Sequence, residues 1–326
     1  MKLNVEQIKS LTYGAVEIPE EDGWIRFHRF TPAQREVYDR LHPQFEEKVR
    51  ASSNIRLTME TDSQHLRFDY KLQTGSSRPY GYFDVYEDGV LKHHFGDLVP
   101  SVTEGRGELV LGPGMKRVEM HFPFSCVTAI ANVELDDGAQ VKPVRKSRSM
   151  IAFGDSITQG YTAIYPSLSY ISRLTDMLDA DCVNKGIGGE RFFPELAECP
   201  DERDPELITV AYGTNDWNNS PREVVADKCR RFYEALSRNY PKAKIFAITP
   251  LWRKDGQKET PFGAPQPAVS ELIADICKDI PNVTVIHGSG FVPWLEPFYE
   301  DERLHPNDMG FDFYARNLYN AMIPYL

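Results

Sequence analysis

Ser156 lies in a Gly-Asp-Ser turn that directly follows the apolar run at residues 150–153. An apolar run followed by a tight polar turn predicts a strand that ends at a sheet edge, with a helix beginning near the serine. A serine hydroxyl in that position can attack a carbonyl carbon if a histidine accepts its proton. A helix N-cap is the more common role for a serine in such a turn. Whether Ser156 is a nucleophile or a helix cap therefore depends on whether the rest of the chain supplies a histidine and oxyanion donors.

Three further polar clusters follow predicted strands or precede a predicted helix. Residues 184–189 are rich in glycine, which lets the backbone come close to a ligand. Residues 213–216 include Asn215, whose side-chain amide can donate hydrogen bonds. Residues 301–308 contain His305, a candidate general base with carboxylates beside it in sequence. Because ligands bind at the carboxyl ends of the strands in a parallel sheet, all of these clusters can meet at one edge.

Together the clusters contain the parts of an acyl-transfer site. Ser156 would attack a carbonyl, and His305 would take its proton and return it to the leaving alcohol. The N–H groups of Ser156 and Gly189 and the amide of Asn215 are candidate donors to the developing oxyanion. Each cluster alone has an ordinary explanation, as a cap, a turn or a surface loop. Their occurrence together predicts the site.

The four clusters resemble the sequence blocks of the SGNH (GDSL-type) hydrolase superfamily. The resemblance covers about residues 149–326. It implies Ser156 as the nucleophile, Gly189 and Asn215 as oxyanion donors, and His305 as the base. It also implies a flavodoxin-like three-layer α/β/α fold, which agrees with the alternation of strands and helices described below.

The acid that should orient His305 departs from the family pattern, which usually has aspartate three residues before the histidine. Glu302 occupies that position here, and Asp301 lies four residues before the histidine. We expect Glu302 to serve, because its longer side chain can reach the imidazole after a small backbone shift. Asp301 serves instead if the turn is one residue wider. In a third arrangement, a main-chain carbonyl orients His305 and both acids are solvated.

The elements that must position these residues divide the chain into two halves. Residues 1–147 alternate apolar and polar side chains with period two between turn signals, which predicts a β-sandwich or jelly roll, interrupted by a helix near residues 32–40. Residues 148–326 alternate apolar runs with helical segments, which predicts a doubly wound parallel sheet. The predicted strands are 150–153, 182–184, 207–212, 244–249 and 283–287, and the predicted helices are 167–178, 221–239, 266–279 and 307–322.

Composition limits the partners and the compartment. The 326 residues carry a net charge of −11, which opposes binding to nucleic acid or to an anionic membrane. Five scattered cysteines without a Cys-x-x-Cys pair indicate buried thiols in a reducing compartment. With no apolar signal core at the N-terminus, a cytoplasmic location is expected. The remaining histidines lack ligand spacing, so neither a metal nor another cofactor is expected.

Aromatic residues near the loops indicate the substrate class, although ordinary packing also explains them; they are Tyr161, Trp217, Trp252 and Trp294. With no long apolar lid, the sequence favours short acyl esters, acetyl above all, on a small molecule or an oligosaccharide. A β-sandwich before a hydrolase domain is similar to two-domain carbohydrate esterases of the superfamily. The alternatives are an acyltransferase with the same site and a non-catalytic carbohydrate-binding protein. The sequence makes no prediction of oligomeric state.

Overall fold

The structure is a computed structural model that describes residues 1–78, 80–98 and 103–326. Its N-terminal part is built mainly of short antiparallel strands. The strands are β1 (Thr12–Tyr13), β2 (Glu20–Glu21), β3 (Trp24–Arg26), β4 (Arg56–Thr61), β5 (His65–Thr74), β6 (Phe83–Glu87), β7 (Val90–Phe95), β8 (Glu104–Val110), β9 (Lys116–His121), β10 (Cys126–Leu135) and β11 (Val141–Pro143). The helices of this part are α1 (Val5–Leu11), α2 (Pro32–Leu41) and α3 (Glu46–Arg50).

These strands form two sheets that pack face to face. One sheet has the order β1-β4-β9-β6-β7, with β11 beside β4, and the other has the order β2-β3-β10-β5-β8. Alternate residues of both sheets point into one apolar core, for example Leu57 and Met120 from the first and Phe68 and Ile130 from the second. Burial of one face of each strand is the physical basis of the period-two pattern. The predicted sandwich is confirmed.

The predicted polar helix is α2, which begins at a capping box. The Thr31 hydroxyl accepts the Gln34 N–H, the Gln34 side chain accepts the Thr31 N–H, and Pro32 occupies the first turn. Helices α1 and α3 were not predicted. They span only seven and five residues, too few for a clear helical period.

The C-terminal part contains the predicted parallel sheet. Its strands are β12 (Arg148–Gly154), β13 (Ala180–Gly186), β14 (Leu207–Ala211), β15 (Lys244–Ile248) and β16 (Val283–Ile286). Its helices are α4 (Ser156–Gln159), α5 (Tyr170–Met177), α6 (Pro194–Ala197), α7 (Thr214–Asn219), α8 (Arg222–Asn239), α9 (Pro267–Cys277) and α10 (Asp308–Met322). All the neighbouring strand pairs of this sheet are parallel.

The strand order explains where a site can form. The order β13-β12-β14-β15-β16 is that of flavodoxin-like sheets, in which successive connections run in opposite directions from the first strand. One face packs against α8 and α9, represented by Phe232 and Ile273, and the other against α5 and α10, represented by Leu174 and Phe311. The predicted three-layer arrangement is confirmed. The crevice where the order reverses lies at the carboxyl ends of β12 and β14.

The N-terminal part also packs against the parallel-sheet part. Phe30, Tyr38 and Val49 belong to the same apolar cluster as Phe193 and Phe232. Residues 30–50 therefore lie against the loops that follow β13. The boundary between residues 147 and 148 stays a prediction. Within the described ranges, no helix is both long and apolar enough to cross a membrane.

Candidate active site

The turn after β12 exposes the Ser156 hydroxyl because the neighbouring aspartate takes the capping role. Asp155 is the N-cap of α4, and its carboxylate accepts the N–H of Ile157 at 3.0 Å. A Cβ on Gly154 would lie 2.0 Å from the Thr158 hydroxyl oxygen, so this close approach requires glycine. Burial raises the pKa of Asp155 to about 6, and its hydrogen bond to the backbone opposes that rise. Asp155 therefore organises the turn through its contact with the backbone.

Three side chains form a hydrogen-bonded series at this edge of the sheet. Ser156 Oγ lies 2.9 Å from His305 Nε2. His305 Nδ1 lies 2.8 Å from Asp301 Oδ2. With Nδ1 donating to the carboxylate, Nε2 is left as the acceptor for the serine proton. This is the hydrogen-bond arrangement that general-base activation of a serine requires.

The expectation that Glu302 orients His305 is wrong, because Asp301 makes that contact. Glu302 adopts a left-handed backbone conformation with φ of 54°, and its side chain is exposed. That residue widens the turn by one position, which is the condition under which Asp301 can serve. Asp301 Oδ1 also accepts the N–H groups of Arg303, Leu304 and His305. A short side chain is suited to bonding its own turn in this way.

These contacts keep Asp301 ionised. Burial alone would raise the pKa of the Asp301 carboxyl. The hydrogen bonds from the His305 ring and from the N–H groups of Leu304 and His305 outweigh burial and hold that pKa well below its usual range. The carboxylate can therefore stabilise an imidazolium at His305.

The glycine-rich loop after β13 lies beside Ser156. A Cβ placed on Gly188 would be 3.7 Å from the Ser156 Cβ. The Gly188 N–H donates to Gln159 Oε1 at 2.8 Å. Gly189 has φ of +89°, a left-handed conformation that glycine adopts without strain. Among the described residues, no acceptor is bonded to the N–H of Gly189, so it is available to a ligand.

Asn215 reaches the cleft from the first turn of α7. One of its amide hydrogens bonds the Glu190 carbonyl oxygen at 3.0 Å, which leaves the second for a ligand. Asp216 holds the neighbouring backbone, accepting the N–H groups of Gly213 at 3.1 Å and Phe192 at 3.0 Å. Burial raises the pKa of Asp216 to about 7, and the hydrogen bond from Phe192 opposes that rise. Asp216 therefore organises the turn through these backbone contacts.

The predicted residues line one cleft of about 240 Å³. Ser156, Gly189, Asn215 and His305 border it together. The remaining wall comes from Lys48, Ser76, Ser77, Tyr161 and Gly188. Of these, Gly188 belongs to the predicted glycine-rich cluster and Tyr161 was singled out as an aromatic residue near the loops, whereas the sequence did not identify the other three. Lys48, Ser76 and Ser77 come from the N-terminal part, far in sequence from Ser156, and no motif marks them.

The aromatic residues separate into two groups. Trp217 is fully buried, and its indole N–H donates to the Ala264 carbonyl at 2.8 Å, so it serves packing rather than substrate contact. Tyr161 lies with its ring 5.1 Å from that of His305. Trp252 and Trp294 stack at 6.5 Å with 13° between their planes, and Trp294 is 59% exposed. The latter pair forms an accessible aromatic surface.

Charged groups near the site do not form a metal centre. Within the described parts of the chain, no three His, Cys, Asp or Glu side chains are grouped so that they could hold a metal ion.

Lys48 lines the cleft, and burial lowers its pKa while the negative charge of Glu190 opposes that shift.

Comparisons with known proteins agree with this geometry. Residues 152–313 match the GDSL-like lipase/acylhydrolase family. This segment runs from the end of β12 into the first part of α10, and it includes Ser156, Gly189, Asn215 and His305. No curated protein matches the sequence.

Solved structures share the fold over nearly the whole chain. A salicylyl-acyltransferase from a tetracycline biosynthetic pathway has a TM-score of 0.83 at 20% identity, covering 96% of this chain and 94% of its own. A putative GDSL-like lipase from Bacteroides ovatus has a TM-score of 0.76 at 19% identity, covering 99% and 97%. An acetyl xylan esterase from the rumen bacterium Butyrivibrio proteoclasticus has a TM-score of 0.67 at 14% identity, covering 100% and 98%. At these identities the likeness is one of fold.

Proposed function

Residues 152–313 belong to the GDSL-like lipase/acylhydrolase family, and from that premise we propose that the protein is a serine esterase that removes short acyl groups, acetyl above all, from a carbohydrate. The observation that carries this proposal is the series Ser156–His305–Asp301, which opens into a cleft bordered by Gly189 and Asn215. In this proposal, residues 148–326 form the catalytic domain and residues 1–147 an accessory domain.

Acylation begins with the Ser156 oxygen attacking the ester carbonyl carbon while His305 Nε2 takes the hydroxyl proton. The imidazolium that forms is stabilised by Asp301 at Nδ1. The carbonyl oxygen becomes an oxyanion, for which the N–H groups of Ser156 and Gly189 and the free amide hydrogen of Asn215 are the donors. Collapse of the tetrahedral intermediate breaks the bond to the alcohol, which leaves with the proton from His305.

Deacylation repeats the same steps with water. His305 Nε2 takes a proton from water as its oxygen attacks the acyl carbon on Ser156. The second tetrahedral intermediate collapses to a carboxylic acid, and Ser156 regains its proton from His305. One ester and one water thus become one acid and one alcohol.

Two features support a short acyl group on a sugar. A cleft of about 240 Å³ whose wall contains serine hydroxyls and a lysine suits a small polar ester better than a long alkyl chain. The stacked Trp252 and Trp294 offer an accessible face of the kind on which sugar rings pack. Trp252 also packs against Tyr299, two residues before Asp301, at 5.3 Å. An acetyl xylan esterase is among the proteins that share this fold.

The substrate class can be tested with p-nitrophenyl esters that differ in acyl chain length and with acetylated sugars. We expect kcat/KM to be higher for p-nitrophenyl acetate than for the octanoate, because the cleft of about 240 Å³ is small and its wall contains serine hydroxyls and a lysine. Incubation with a panel of acetylated sugars, read by mass spectrometry, should show losses of acetyl groups. A preference for octanoate, or acetate turnover with every acetylated sugar left intact, would contradict the respective part of the proposal.

The oxyanion role of Asn215 makes a separate prediction. Asn215→Ala should reduce kcat by roughly 10²- to 10³-fold, the usual cost of removing one oxyanion donor, with a smaller change in KM. Asn218→Ala, on the same short helix with its side-chain amide donating to Asn219 Oδ1 at 3.0 Å, is the matched control and should leave kcat unchanged. Steady-state kinetics with p-nitrophenyl acetate gives both values, and equal kcat in the two variants would exclude Asn215 from the oxyanion site.

Acyl transfer to an alcohol is the second candidate. The observation that favours it is the shared fold with a salicylyl-acyltransferase at a TM-score of 0.83. Water and an alcohol attack the same acyl-enzyme, so the two functions differ only in the acceptor. Product analysis with competing small alcohols separates them: hydrolysis predicts free acid as the main product, and transfer predicts the new ester.

A further inference from the structure

A buried arginine joins the N-terminal part to the loop after β13. Arg29 is fully buried, and its guanidinium donates to the carbonyl oxygens of Ala51 at 2.6 Å and Lys48 at 2.7 Å. The same side chain donates to the carbonyl oxygens of Asn184 and, at 3.3 Å, Gly186, at the end of β13. These bonds fix α3 against the strand from which the glycine-rich loop emerges.

Lys48 extends from α3 into the cleft. Its ammonium donates to the Gly188 carbonyl oxygen at 2.6 Å and lies 5.0 Å from the centre of the Phe45 ring. In the described part of the chain, Lys48 makes no salt bridge with a carboxylate. Its ammonium therefore bonds a backbone carbonyl beside Ser156, while the negative charge of Glu190 favours its charged form.

The Gly188 carbonyl and the Gly189 N–H belong to one peptide unit. Since the described chain has no cis peptide bond, this unit is trans, and its C=O and N–H point in opposite directions. A cation bonded to the Gly188 oxygen therefore fixes the Gly189 N–H in the opposite direction, within the same peptide plane. The same cation draws electron density toward the oxygen, which makes the N–H a stronger donor. The bond from Gly188 N–H to Gln159 holds the preceding peptide unit as well.

We propose that Lys48 is a positioning residue for the oxyanion site: its ammonium holds and polarises the Gly188–Gly189 peptide so that the Gly189 N–H is presented to the oxyanion formed at Ser156. The inference rests on the proposed function. It assigns the N-terminal part a role in the chemistry, because the C-terminal part alone lacks this cation. Since negative charge on the substrate oxygen grows toward the transition state, the effect falls on kcat more than on KM.

The test uses two neutral variants, Lys48→Met and Lys48→Gln, and a charged one, Lys48→Arg. With p-nitrophenyl acetate, the neutral variants should lose about 10- to 100-fold in kcat, less than the loss of an oxyanion donor itself, with little change in KM. Lys48→Arg should recover most of the loss. Arg50→Met, an exposed position on the same helix that pairs with Glu46, is the matched control and should behave as wild type.

Two further measurements separate positioning from other roles. Affinity for phenylboronic acid, which forms a tetrahedral adduct on the serine, should fall in parallel with kcat in the neutral variants, while their unfolding temperatures stay near that of Arg50→Met. The acetate ester is uncharged, so a Lys48 that served only to bind an anionic group on the substrate would leave its turnover unchanged. Unchanged kcat in Lys48→Met, or a loss that Lys48→Arg does not repair, would overturn the inference.

The rate at which a fluorophosphonate labels Ser156 distinguishes this inference from the proposed function. Serine attack on phosphorus places negative charge on the phosphoryl oxygen and expels fluoride, whatever the natural substrate is. Slower labelling of Lys48→Met than of Arg50→Met would support the role of Lys48 even if acetyl esters were not turned over. Equal labelling rates would overturn it even if wild type were an efficient esterase.

Discussion

Ser156→Ala is expected to reduce ester hydrolysis by roughly 10⁴- to 10⁶-fold, the range found when a serine nucleophile is removed from a triad. The reason is that no acyl-enzyme can form without the Ser156 oxygen, while the oxyanion donors and the cleft remain to give weak residual catalysis. The measurement is kcat/KM for p-nitrophenyl acetate. Covalent labelling by a fluorophosphonate, followed by intact-protein mass spectrometry, should disappear in the same variant.

Ser10→Ala is the control for this substitution. Ser10 is an exposed helical serine whose hydroxyl donates to the Gln7 carbonyl oxygen at 2.7 Å. It should retain wild-type hydrolysis and wild-type labelling. Hydrolysis that persisted in purified Ser156→Ala at more than a few per cent of wild type would contradict the assignment of the nucleophile.

Asp301→Asn is expected to lower kcat/KM by roughly 10³- to 10⁴-fold, whereas Glu302→Gln should change it by less than about twofold. The asparagine amide cannot stabilise the imidazolium, and it can present an N–H₂ to Nδ1 and so favour the wrong tautomer of His305. The Glu302 side chain is exposed, and the His305 ring is bonded to Asp301 instead. Because the residues are adjacent and the substitutions equivalent, the pair separates the two acids directly in steady-state assays.

The same variants differ in how their stability depends on pH. The Asp301 pKa is held below its usual range, so its contribution to the free energy of unfolding is present above the unfolded-state pKa and is lost as pH falls toward the folded-state value. When measured by denaturant unfolding between pH 3 and 7, the free energy of unfolding should therefore fall less steeply toward acid pH in Asp301→Asn than in Glu302→Gln. A large activity loss in Glu302→Gln together with an active Asp301→Asn would reverse the assignment.

The parallel sheet was predictable because its signals are local. The apolar strand at residues 150–153 is followed at once by the serine turn, and β14 by the turn that carries Asn215. A strand buried on both faces must be apolar throughout, and its end must be polar where it meets the crevice. Short runs of sequence therefore contain both the strand and the position of each functional loop, although strand ends shifted by one or two residues.

The identity of the acid that orients His305, and the wall of the cleft formed by Lys48, Ser76 and Ser77, depend on contacts between residues that local sequence patterns do not specify. Whether Asp301 or Glu302 reaches His305 depends on the left-handed conformation at residue 302 and on three N–H bonds to one carboxylate oxygen. The two acids are neighbours of similar chemistry, so spacing alone could favour the wrong one.

By itself, the sequence identified the candidate serine, base and oxyanion donors and the sheet edge where they meet, because each lies within a few positions of the strand or helix that places it. Only the tertiary structure decided that Asp301 orients His305, that Trp217 is buried, and that Lys48 bonds the Gly188 carbonyl. Lys48 and Gly188 are 140 positions apart. Their contact arises from the packing of residues 30–50 against the C-terminal part, which no local pattern of residues specifies.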